Sequence, residues 1–302
     1  MKTDLQKVIT VMSRAYGTDL SCYDESVLSK SLETRCIETS SATIDEYCTY
    51  LSEHREEAGA LSRSLQNTHS EFFRNPLTFA LLESLVLPSL LMERQGAEGR
   101  GIRVWSAGCA AGEEAYSIAI LLNERATASE HPAPYQIFAT DISEDELAHA
   151  KSGVYDAARV QNVHLKHLHT YFHSRGDTYT VIPRLQDHID FSRYDLLDEH
   201  SISPPTSIYG GFDLIFCANL LFYYRPEVRQ SILEKLNHSL VPGGYLVTGE
   251  AEREMVEQLD NIYPVFRSAA VYRKSSRTHM KTEQRTGAGT AESCRQEAEH
   301  GV

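Results

Sequence analysis

The stretch Val104-Trp105-Ser106-Ala107-Gly108-Cys109-Ala110-Ala111-Gly112-Glu113-Glu114 decides the fold of this chain. Before its first glycine the sequence is short, apolar and β-branched, which predicts a buried strand beginning at Ile102. Gly108 and Gly112 permit tight turns and a close approach of the backbone. Apolar residues then recur at helical spacing, at Tyr116, Ile118, Ala119, Leu121 and Leu122. This strand, turn and helix start predict a nucleotide-type ligand over the turn.

Two acids narrow the choice of ligand. Glu113 and Glu114 fall in the first turn of the predicted helix, where they would repel a phosphate. They suit a ligand that carries hydroxyls and positive charge, such as the ribose and sulfonium of S-adenosylmethionine. The G-x-x-x-G spacing also differs from the dinucleotide pattern G-x-G-x-x-G, which disfavours nicotinamide and flavin cofactors. The alternative is that both acids only cap the helix.

Polar residues follow two further predicted strands. The strand Tyr135 to Thr140 ends at Asp141, where a carboxylate is placed to accept hydrogen bonds from ribose hydroxyls. Asp141 can equally cap the next helix, and the two roles are compatible. The apolar strand Phe212 to Cys217 is followed by Asn219 and by tyrosines. Alternating strands and helices predict a doubly wound, mostly parallel α/β sheet with ligands at the carboxyl ends of its strands.

The same pattern continues to the end of the predicted sheet. Pro226 starts a helix with one apolar face, made of Val228, Ile232, Leu233 and Leu236. Pro242-Gly243-Gly244 is predicted to turn the chain into the strand Tyr245 to Thr248.

Composition limits the function classes. The chain has 302 residues with 41% hydrophobic content, enough for one good core and a second small domain. A formal charge of -13 argues against binding nucleic acid or an anionic membrane surface. No apolar run approaches the roughly 20 residues of a membrane span, so no membrane insertion is expected. Six cysteines lack C-x-x-C spacing, which predicts a reduced, cytoplasmic protein without disulfides.

The sequence predicts three regions of different character. Residues 1–65 form an N-terminal helical domain, with Gly17 ending a helix whose apolar face contains Leu5, Val8, Ile9 and Met12. Thr43 to Glu46 is predicted to be a capping box. Residues 66–274 form the α/β domain, with a small β insertion at about 172–190 that includes the strand Thr178 to Ile182. Residues 275–302 have almost no aliphatic side chains and are predicted to be a disordered tail.

Several ordered segments together resemble the CheR-type chemoreceptor methyltransferases. They are Ser70 to Pro76, Val104 to Ser117, Ala139 to Ile142, Phe212 to Tyr223 and Pro242 to Gly244. The resemblance covers roughly residues 5–272 and implies a sheet of the class I methyltransferase type. It also implies transfer of a methyl group from S-adenosylmethionine to the γ-carboxylate of glutamates in the cytoplasmic domain of a chemoreceptor, which leaves S-adenosylhomocysteine. The expected protein is a cytoplasmic monomer.

The resemblance also assigns site residues. Arg74 and Tyr223 match catalytic positions, with Arg74 orienting a carboxylate and Tyr223 beside the transferred methyl group. The expected cofactor-binding residues are Thr68, Ser70, Arg74, Gly108, Glu114, Asp141, Asp195, Leu196, Cys217, Ala218 and Asn219. Without the family pattern, Arg74 could form only a salt bridge and Tyr223 could be only a core aromatic.

The chain departs from the family pattern at three places. Cys217-Ala218-Asn219 stands where the family usually has Cys-Arg-Asn, and Thr68 replaces a usual asparagine. In the second helix, Lys30 and Arg35 face four acids, whereas receptor-acting members usually have a strongly basic helix there. Two alternatives therefore remain: a scaffold that binds S-adenosylmethionine with little turnover, and a methyltransferase that acts on a non-receptor carboxylate.

For two further features the sequence predicts that no binding site is present. His164, His167, His169 and His173 lie close in sequence, and His169 and His173 are predicted to share a helical face. No acidic or cysteine ligand joins them, so no metal site is expected. The short turn Ser174 to Asp177 lacks a glycine-bearing insertion, which predicts that the β insertion does not bind a receptor's C-terminal peptide.

Overall fold

The N-terminal part of the chain is a helical module. The computed structural model describes residues 2–66, 70–95, 101–128, 133–207, 211–266 and 268–276. Within the first of these ranges the helices are α1 (Lys2–Tyr16), α2 (Glu25–Glu38), α3 (Ile44–Glu53) and α4 (Arg55–Leu65). The predicted apolar face of α1 is buried in the module's own core, and Gly17 follows the helix with φ 68°. The predicted helical character of this region is therefore confirmed.

The predicted cap of α3 is formed, with one difference. The Thr43 side chain accepts a hydrogen bond from the Glu46 N–H at 3.2 Å. The Glu46 carboxylate accepts from the N–H of Ala42 at 2.8 Å and so reaches one residue beyond the N-cap that a capping box uses.

The α2 residue Arg35 is committed to a pair inside the module. Its Nε donates to the Glu57 carboxylate at 2.8 Å, and the Tyr47 hydroxyl donates to the same carboxylate at 2.7 Å. Because Glu57 is buried, this pair fixes Arg35 against α4 and leaves less positive charge for an outside partner.

The second part of the chain is a seven-stranded sheet with helices on both faces. Its strands are β1 (Ile102–Ala107), β2 (Tyr135–Asp141), β6 (Ile189–Arg193), β7 (Phe212–Cys217), β8 (Leu240–Thr248), β9 (Ile262–Pro264) and β10 (Val271–Lys274). The strand order is β6-β2-β1-β7-β8-β10-β9. The five strands β6, β2, β1, β7 and β8 pair in parallel, each with the next one in this order. Strand β10 pairs antiparallel with β8 and with the edge strand β9. The predicted doubly wound, mostly parallel sheet is confirmed.

The helices of this part connect the strands. They are α5 (Pro76–Leu81), α6 (Leu87–Gln95), α7 (Glu113–Thr127), α8 (Glu144–Ser152), α9 (Leu165–Tyr171), α10 (Pro183–Gln186), α11 (Pro226–Ser239) and α12 (Arg253–Val256). Two apolar cores lie on opposite faces of the sheet, one centred on α7 and the other on α11. Three of the four residues predicted for the apolar face of α11, Ile232, Leu233 and Leu236, are buried there.

One predicted strand boundary is wrong. Strand β8 begins at Leu240, so the predicted turn Pro242 to Gly244 lies inside the strand. The pairing of β7 with β8 shifts register between Phe212 and Leu214, and Gly243 has φ 82°. The proline and glycine residues therefore belong to an irregular region inside β8 and do not mark the start of the strand.

A smaller sheet contains β3 (Val154–Asp156), β4 (Phe172–Arg175) and β5 (Thr178–Val181) in the order β3-β5-β4. The predicted strand at Thr178 is present. His173 lies in β4 and not on the helix of His169, so the shared helical face predicted for them is wrong. The domain boundaries at 65/66 and 274/275 and the 172–190 insertion stay predictions, and the predicted tail, from residue 277, lies outside the described residues.

The run Pro76 to Arg94 contradicts the expectation that no apolar run approaches the length of a membrane span. It forms one helical stretch of 19 residues, π-helical over Leu82–Val86, and it is long and apolar enough to span a membrane by length and composition. In this fold it packs one face on the sheet core, where Phe79, Val86 and Leu90 are buried.

Candidate functional site

The predicted turn between β1 and α7 is formed by its two glycines. Gly108 has φ 75°, and Gly112 is the N-cap of α7 with φ 90°. A Cβ on Gly112 would lie 2.9 Å from the Ala150 Cβ, so only glycine allows this approach. The N–H groups of Gly108 and Cys109 both donate to the Thr140 carbonyl, which fixes the turn beside the end of β2.

Asp141 holds the two strand ends together and faces a pocket. One carboxylate oxygen accepts from the Ala110 N–H and the other from the Ser143 N–H, each at 2.9 Å. Burial raises the pKa of Asp141. Helix α8 is capped by Ser143 and not by Asp141, so the acid keeps lone pairs for hydroxyl donors.

Glu113 and Glu114 are adjacent in sequence but lie in different environments and have different partners. Glu113 is fully buried and pairs with Arg159. Glu114 accepts a hydrogen bond from the Ser106 hydroxyl at 2.8 Å and lines a pocket. Burial raises the pKa of Glu114 to about 8. Glu114 is therefore the acid of this turn that a ligand can reach.

Two pockets meet at Gly108, above the carboxyl ends of the parallel strands. The first, called here the Arg74 pocket, is lined by Ser70, Glu71, Arg74, Asn75, Phe79, Gly108, Ala110, Glu114, Phe216, Ala218 and Asn219. The second, called the Asp195 pocket, is lined by Tyr23, Leu65, Gln66, Gly108, Asp141, Ile142, Tyr194, Asp195, Leu196, Leu197, Leu220, Tyr223 and Tyr224. This is the position that an open parallel sheet offers to ligands.

The two pockets bring together nearly all of the residues that the sequence predicted for the site. The Arg74 pocket contains Ser70, Arg74, Gly108, Glu114, Ala218 and Asn219, and the Asp195 pocket contains Gly108, Asp141, Asp195, Leu196 and Tyr223. Cys217 lines neither, because its side chain is fully buried in the core below α11, which raises the pKa of its thiol. Thr68 lies outside the described residues.

Arg74 acts electrostatically on both pockets. Burial raises the pKa values of Glu114 and Tyr223, and the positive charge of Arg74 opposes the rise at each of them. Its neighbours Phe73 and Asn75 have φ 52° and 64°, a left-handed conformation that is uncommon outside glycine. Backbone strain of this kind is concentrated at functional sites, and Ala110 and Asn219 add two further positions in the same pocket.

Glu252 lines neither pocket but supports the Arg74 pocket from behind, and the sequence reasoning missed it. It is fully buried, and its carboxylate accepts from the N–H groups of Gly249 and Leu221 at 2.7 Å and of Asn219 at 3.1 Å. It thereby holds the loop after β7, in which Asn219 has φ 59°. The available signal was an acid just beyond the carboxyl end of β8, the same edge of the sheet as the pockets.

The helical module contributes to the Asp195 pocket, which the sequence did not indicate. Tyr23, Leu65 and Gln66 lie on its wall. Since these residues come from the first 66 residues, the pocket is assembled from both parts of the chain.

An open cavity of about 550 Å³ adjoins the Arg74 pocket and shares Glu71, Arg74, Asn75 and Phe79 with it. Glu83 and His167 also line this cavity. The four shared residues therefore lie between the Arg74 pocket and this cavity. Within the described ranges, no group of three His, Cys, Asp or Glu side chains is arranged to hold a metal ion.

Comparison with protein families covers both parts of the chain. Residues 3–65 match the model described as "CheR methyltransferase, all-alpha domain", and residues 68–270 match "CheR methyltransferase, SAM binding domain". The observed architecture, a helical module followed by a mostly parallel sheet, agrees with these two descriptions.

Curated relatives carry related names. A chemotaxis protein methyltransferase of Listeria monocytogenes is 32% identical over 80% of this chain and 87% of that protein. A "Probable biofilm formation methyltransferase" of Pseudomonas putida is 27% identical over 84% of this chain and 58% of that protein. Among solved structures, an N-methyltransferase of Bradyrhizobium japonicum in complex with S-adenosylhomocysteine is 17% identical, covers 72% of this chain and 97% of that one, and has a TM-score of 0.39.

Proposed function

The chain belongs to the CheR methyltransferase family, and we propose that it transfers a methyl group from S-adenosylmethionine to the γ-carboxylate of glutamates in a chemoreceptor. The family model that matches residues 68–270 is a domain that binds S-adenosylmethionine, so S-adenosylmethionine is the cofactor. The finer assignment, to a glutamate and to a receptor, is supported by the chemistry of the site.

The residues of the two pockets fit S-adenosylmethionine. Asp141 offers carboxylate oxygens to ribose hydroxyls, and Asp195 can accept from the exocyclic amine of adenine. On the other side of Gly108, Glu114 offers a negative partner to an ammonium group. Gly108 lines both pockets, and a Cβ on it would lie 3.1 Å from the Leu220 side chain, so the glycine leaves more room where the two pockets meet.

When bound, S-adenosylmethionine supplies an electrophilic methyl group on a sulfonium. A glutamate side chain is already ionised at neutral pH, so the site needs no general base to generate the nucleophile. What remains for the protein is to orient the carboxylate and to exclude water around it.

Arg74 is the observation that carries this proposal. Among the described residues that line the Arg74 pocket it is the only basic one, and it stands where that pocket meets the open cavity. Its planar guanidinium can pair with two carboxylate oxygens, which suits a carboxylate substrate entering from the cavity. Tyr223, on the far side of Gly108, adds an aromatic wall that excludes water.

A scaffold with little turnover is the second candidate, because of Ala218. Ala218 lines the Arg74 pocket, where the family pattern has an arginine, and its methyl group provides neither charge nor hydrogen bonds. The surface of α2 also offers little to an acidic receptor, since Arg35 is paired with Glu57 and Glu38. A methyltransferase that acts on another carboxylate is the third candidate.

Transfer of a labelled methyl group separates these candidates. Purified protein is incubated with tritiated S-adenosylmethionine and candidate receptor cytoplasmic domains, and base-labile volatile methanol is counted. Label on a receptor supports the proposal. Cofactor binding without label on any protein identifies the scaffold, and label on a different acceptor identifies the third candidate. If neither S-adenosylmethionine nor S-adenosylhomocysteine binds at millimolar concentration, all three are wrong.

A further inference from the structure

A buried tyrosine of the smaller sheet contacts the turn between β1 and α7. Tyr155 lies in β3, which pairs with β5, and it is only 2% exposed. Its hydroxyl donates a hydrogen bond to the Ala111 carbonyl at 2.6 Å. Burial raises the pKa of Tyr155, so the hydroxyl stays protonated and remains a donor at neutral pH. The smaller sheet therefore fixes the peptide group that joins Ala111 to Gly112.

This peptide group lies between residues that shape both pockets. On one side, Ala110 lines the Arg74 pocket with φ 45°, and its N–H donates to the Asp141 carboxylate of the Asp195 pocket. On the other side, Gly112 is the N-cap of α7, whose first turn contains Glu114. A shift of the Ala111 carbonyl would therefore displace the groups proposed to bind the cofactor.

The ring of Tyr155 contacts a second part of the site. It meets the Phe72 ring edge-on, with a centroid distance of 4.9 Å and an interplanar angle of 85°. Phe172 of β4 meets the same Phe72 ring at 5.5 Å and 75°. Phe72 is fully buried and precedes Arg74 by two residues. The smaller sheet thus holds the side chain that anchors the segment presenting Arg74.

The residues between β3 and β4 make further contacts with this segment. Asn162 donates to the Glu71 carboxylate at 3.0 Å, and the His167 ring stacks on the Phe73 ring with a centroid distance of 5.7 Å. Phe73 has φ 52°, a backbone conformation that persists only where the surroundings enforce it. These contacts therefore restrict the backbone immediately before Arg74.

We propose that Tyr155 is a positioning residue, which sets the cofactor turn through its hydroxyl and the segment presenting Arg74 through its ring. This inference rests on the proposed function, in which the turn binds S-adenosylmethionine and Arg74 orients the acceptor carboxylate. Methyl transfer requires the attacking oxygen, the methyl carbon and the sulfur to lie in line, so cofactor and arginine must keep one mutual geometry. A buried side chain in contact with both supports that geometry.

Amide hydrogen exchange, followed by NMR in the full-length protein, reports on the two contacts separately. The Ala110 N–H, which donates to Asp141, reports on the turn. The Phe73 N–H, which donates to the Ser117 hydroxyl at 3.0 Å, reports on the segment before Arg74. Titration calorimetry with S-adenosylhomocysteine measures the consequence for the cofactor site. None of these measurements requires an acceptor.

Two variants separate the hydroxyl of Tyr155 from its ring. Tyr155→Phe removes only the hydroxyl, whereas Tyr155→Leu removes the ring as well. Tyr116→Phe is the matched control, because Tyr116 is also buried and its hydroxyl also donates to a backbone carbonyl, that of Ala150 in α8, at 2.8 Å. Thermal unfolding of each variant identifies any that do not fold, and Tyr155→Met then replaces Tyr155→Leu.

The proposal expects Tyr155→Phe to speed exchange at Ala110 and to weaken S-adenosylhomocysteine binding, each by about threefold or more, while exchange at Phe73 stays as in the native chain. Tyr155→Leu is expected to speed exchange at both amides. Tyr116→Phe should lower the melting temperature about as much as Tyr155→Phe does, since it loses the same kind of hydrogen bond. Its exchange at both amides and its ligand affinity should stay within about twofold of the native values.

Three results overturn the proposal: native affinity for S-adenosylhomocysteine in Tyr155→Phe, native exchange at Phe73 in the variant without the ring, or the same changes in Tyr116→Phe as in Tyr155→Phe. Failure of the native chain to bind S-adenosylhomocysteine would instead contradict the proposed function on which this inference rests. The two failures are therefore distinguishable.

Discussion

The buried carboxylate of Glu252 accepts a hydrogen bond from the backbone N–H of Asn219 at 3.1 Å, and it accepts two more from Leu221 and Gly249. A Cβ on Gly249 would lie 2.9 Å from the Asn219 nitrogen, so the two loops approach closely. The shape of the Arg74 pocket on the Asn219 side therefore depends on one acid from a neighbouring loop.

Glu252→Ala is expected to remove the carboxylate that accepts from these three N–H groups. Each hydrogen bond to a charged group contributes about 1.5–3 kcal/mol, so we expect a loss of roughly 3 kcal/mol or more in the free energy of unfolding. S-adenosylhomocysteine binding should weaken as well. Urea unfolding and calorimetry measure the two effects. Glu254→Ala, an exposed acid in α12, is the control, and an equal effect of both variants would contradict this role.

The raised pKa of Glu114 predicts a pH dependence of ligand binding. At neutral pH the unliganded site favours the protonated acid, because burial raises the pKa to about 8. An ammonium group prefers the ionised form, so binding of S-adenosylhomocysteine should tighten between about pH 6 and about pH 8 and release protons. Calorimetry in buffers of different ionisation enthalpy measures the protons released. Binding that is independent of pH over this range would contradict the prediction.

The same shift predicts that Glu114 destabilises the unliganded protein at alkaline pH. The folded pKa lies above the ordinary value, so the folded state binds more protons than the unfolded state between about pH 4.5 and about pH 8, and stability falls as pH rises through this window. Glu114→Gln should therefore raise the melting temperature at pH 8 relative to the native chain. It should raise it less at pH 5, because that pH lies near the lower end of the window and little of the stability difference has yet accumulated. A lower melting temperature at pH 8 would count against this account.

Arg74→Lys should separate orientation of the substrate from binding of the cofactor. Lysine keeps the positive charge but lacks the planar fork that pairs with two oxygens. We expect the rate of methyl transfer to fall about tenfold or more, and the dissociation constant of S-adenosylhomocysteine to change less than threefold. Arg125→Lys is the control, because Arg125 lines neither pocket. A parallel loss of rate and affinity would assign Arg74 to cofactor binding alone.

Ala218→Arg tests whether the missing cation limits turnover. A second guanidinium on the wall of the Arg74 pocket should stabilise an incoming carboxylate, so methyl transfer to a receptor should increase by about threefold or more. Ala218→Met adds similar bulk without charge and should not increase the rate. An increase with Met, or none with Arg, would show that the charge lost at position 218 is not the limiting factor.

The outer edge of β4 provides a test for a receptor tether. Within the described residues β4 pairs with β5 alone, so an open edge exists, and the prediction against peptide binding depends on the short β4–β5 turn. Titration with the C-terminal peptides of candidate receptors should give no binding at micromolar concentration. A micromolar dissociation constant would refute the prediction, and the outer edge of β4 would then be the first place to look for the bound peptide.

The sequence could predict the elements that repeat a simple pattern. The apolar strands β1, β2 and β7 and the glycine turn at Gly108 follow from periodicity and from backbone freedom. The prediction failed where the same residues are compatible with two backbone conformations. Pro242 to Gly244 were predicted to form a turn but lie inside β8, because an irregular strand also tolerates proline and glycine.

The site was predictable only where its residues lie near strand ends. Asp141 and Glu114 follow buried strands, so their placement at the sheet edge could be expected. The positions of Glu252 and Tyr23 at the site could not be predicted, because they depend on contacts with Asn219 and Tyr224, which are 33 and 201 residues away. Neither residue type nor local spacing indicates such long-range contacts.

An antiparallel backbone bridge between Tyr23 and Tyr224 joins the helical module to the sheet domain, and it affects the order in which the molecule folds during synthesis. The helical module has its own core and can fold while the rest of the chain is still being translated. The wall that Tyr23 shares with Tyr224 cannot close until residue 225 has left the ribosome, and strands β8 to β10 follow later still. In a nascent chain the helical module can therefore be folded long before the Asp195 pocket is complete.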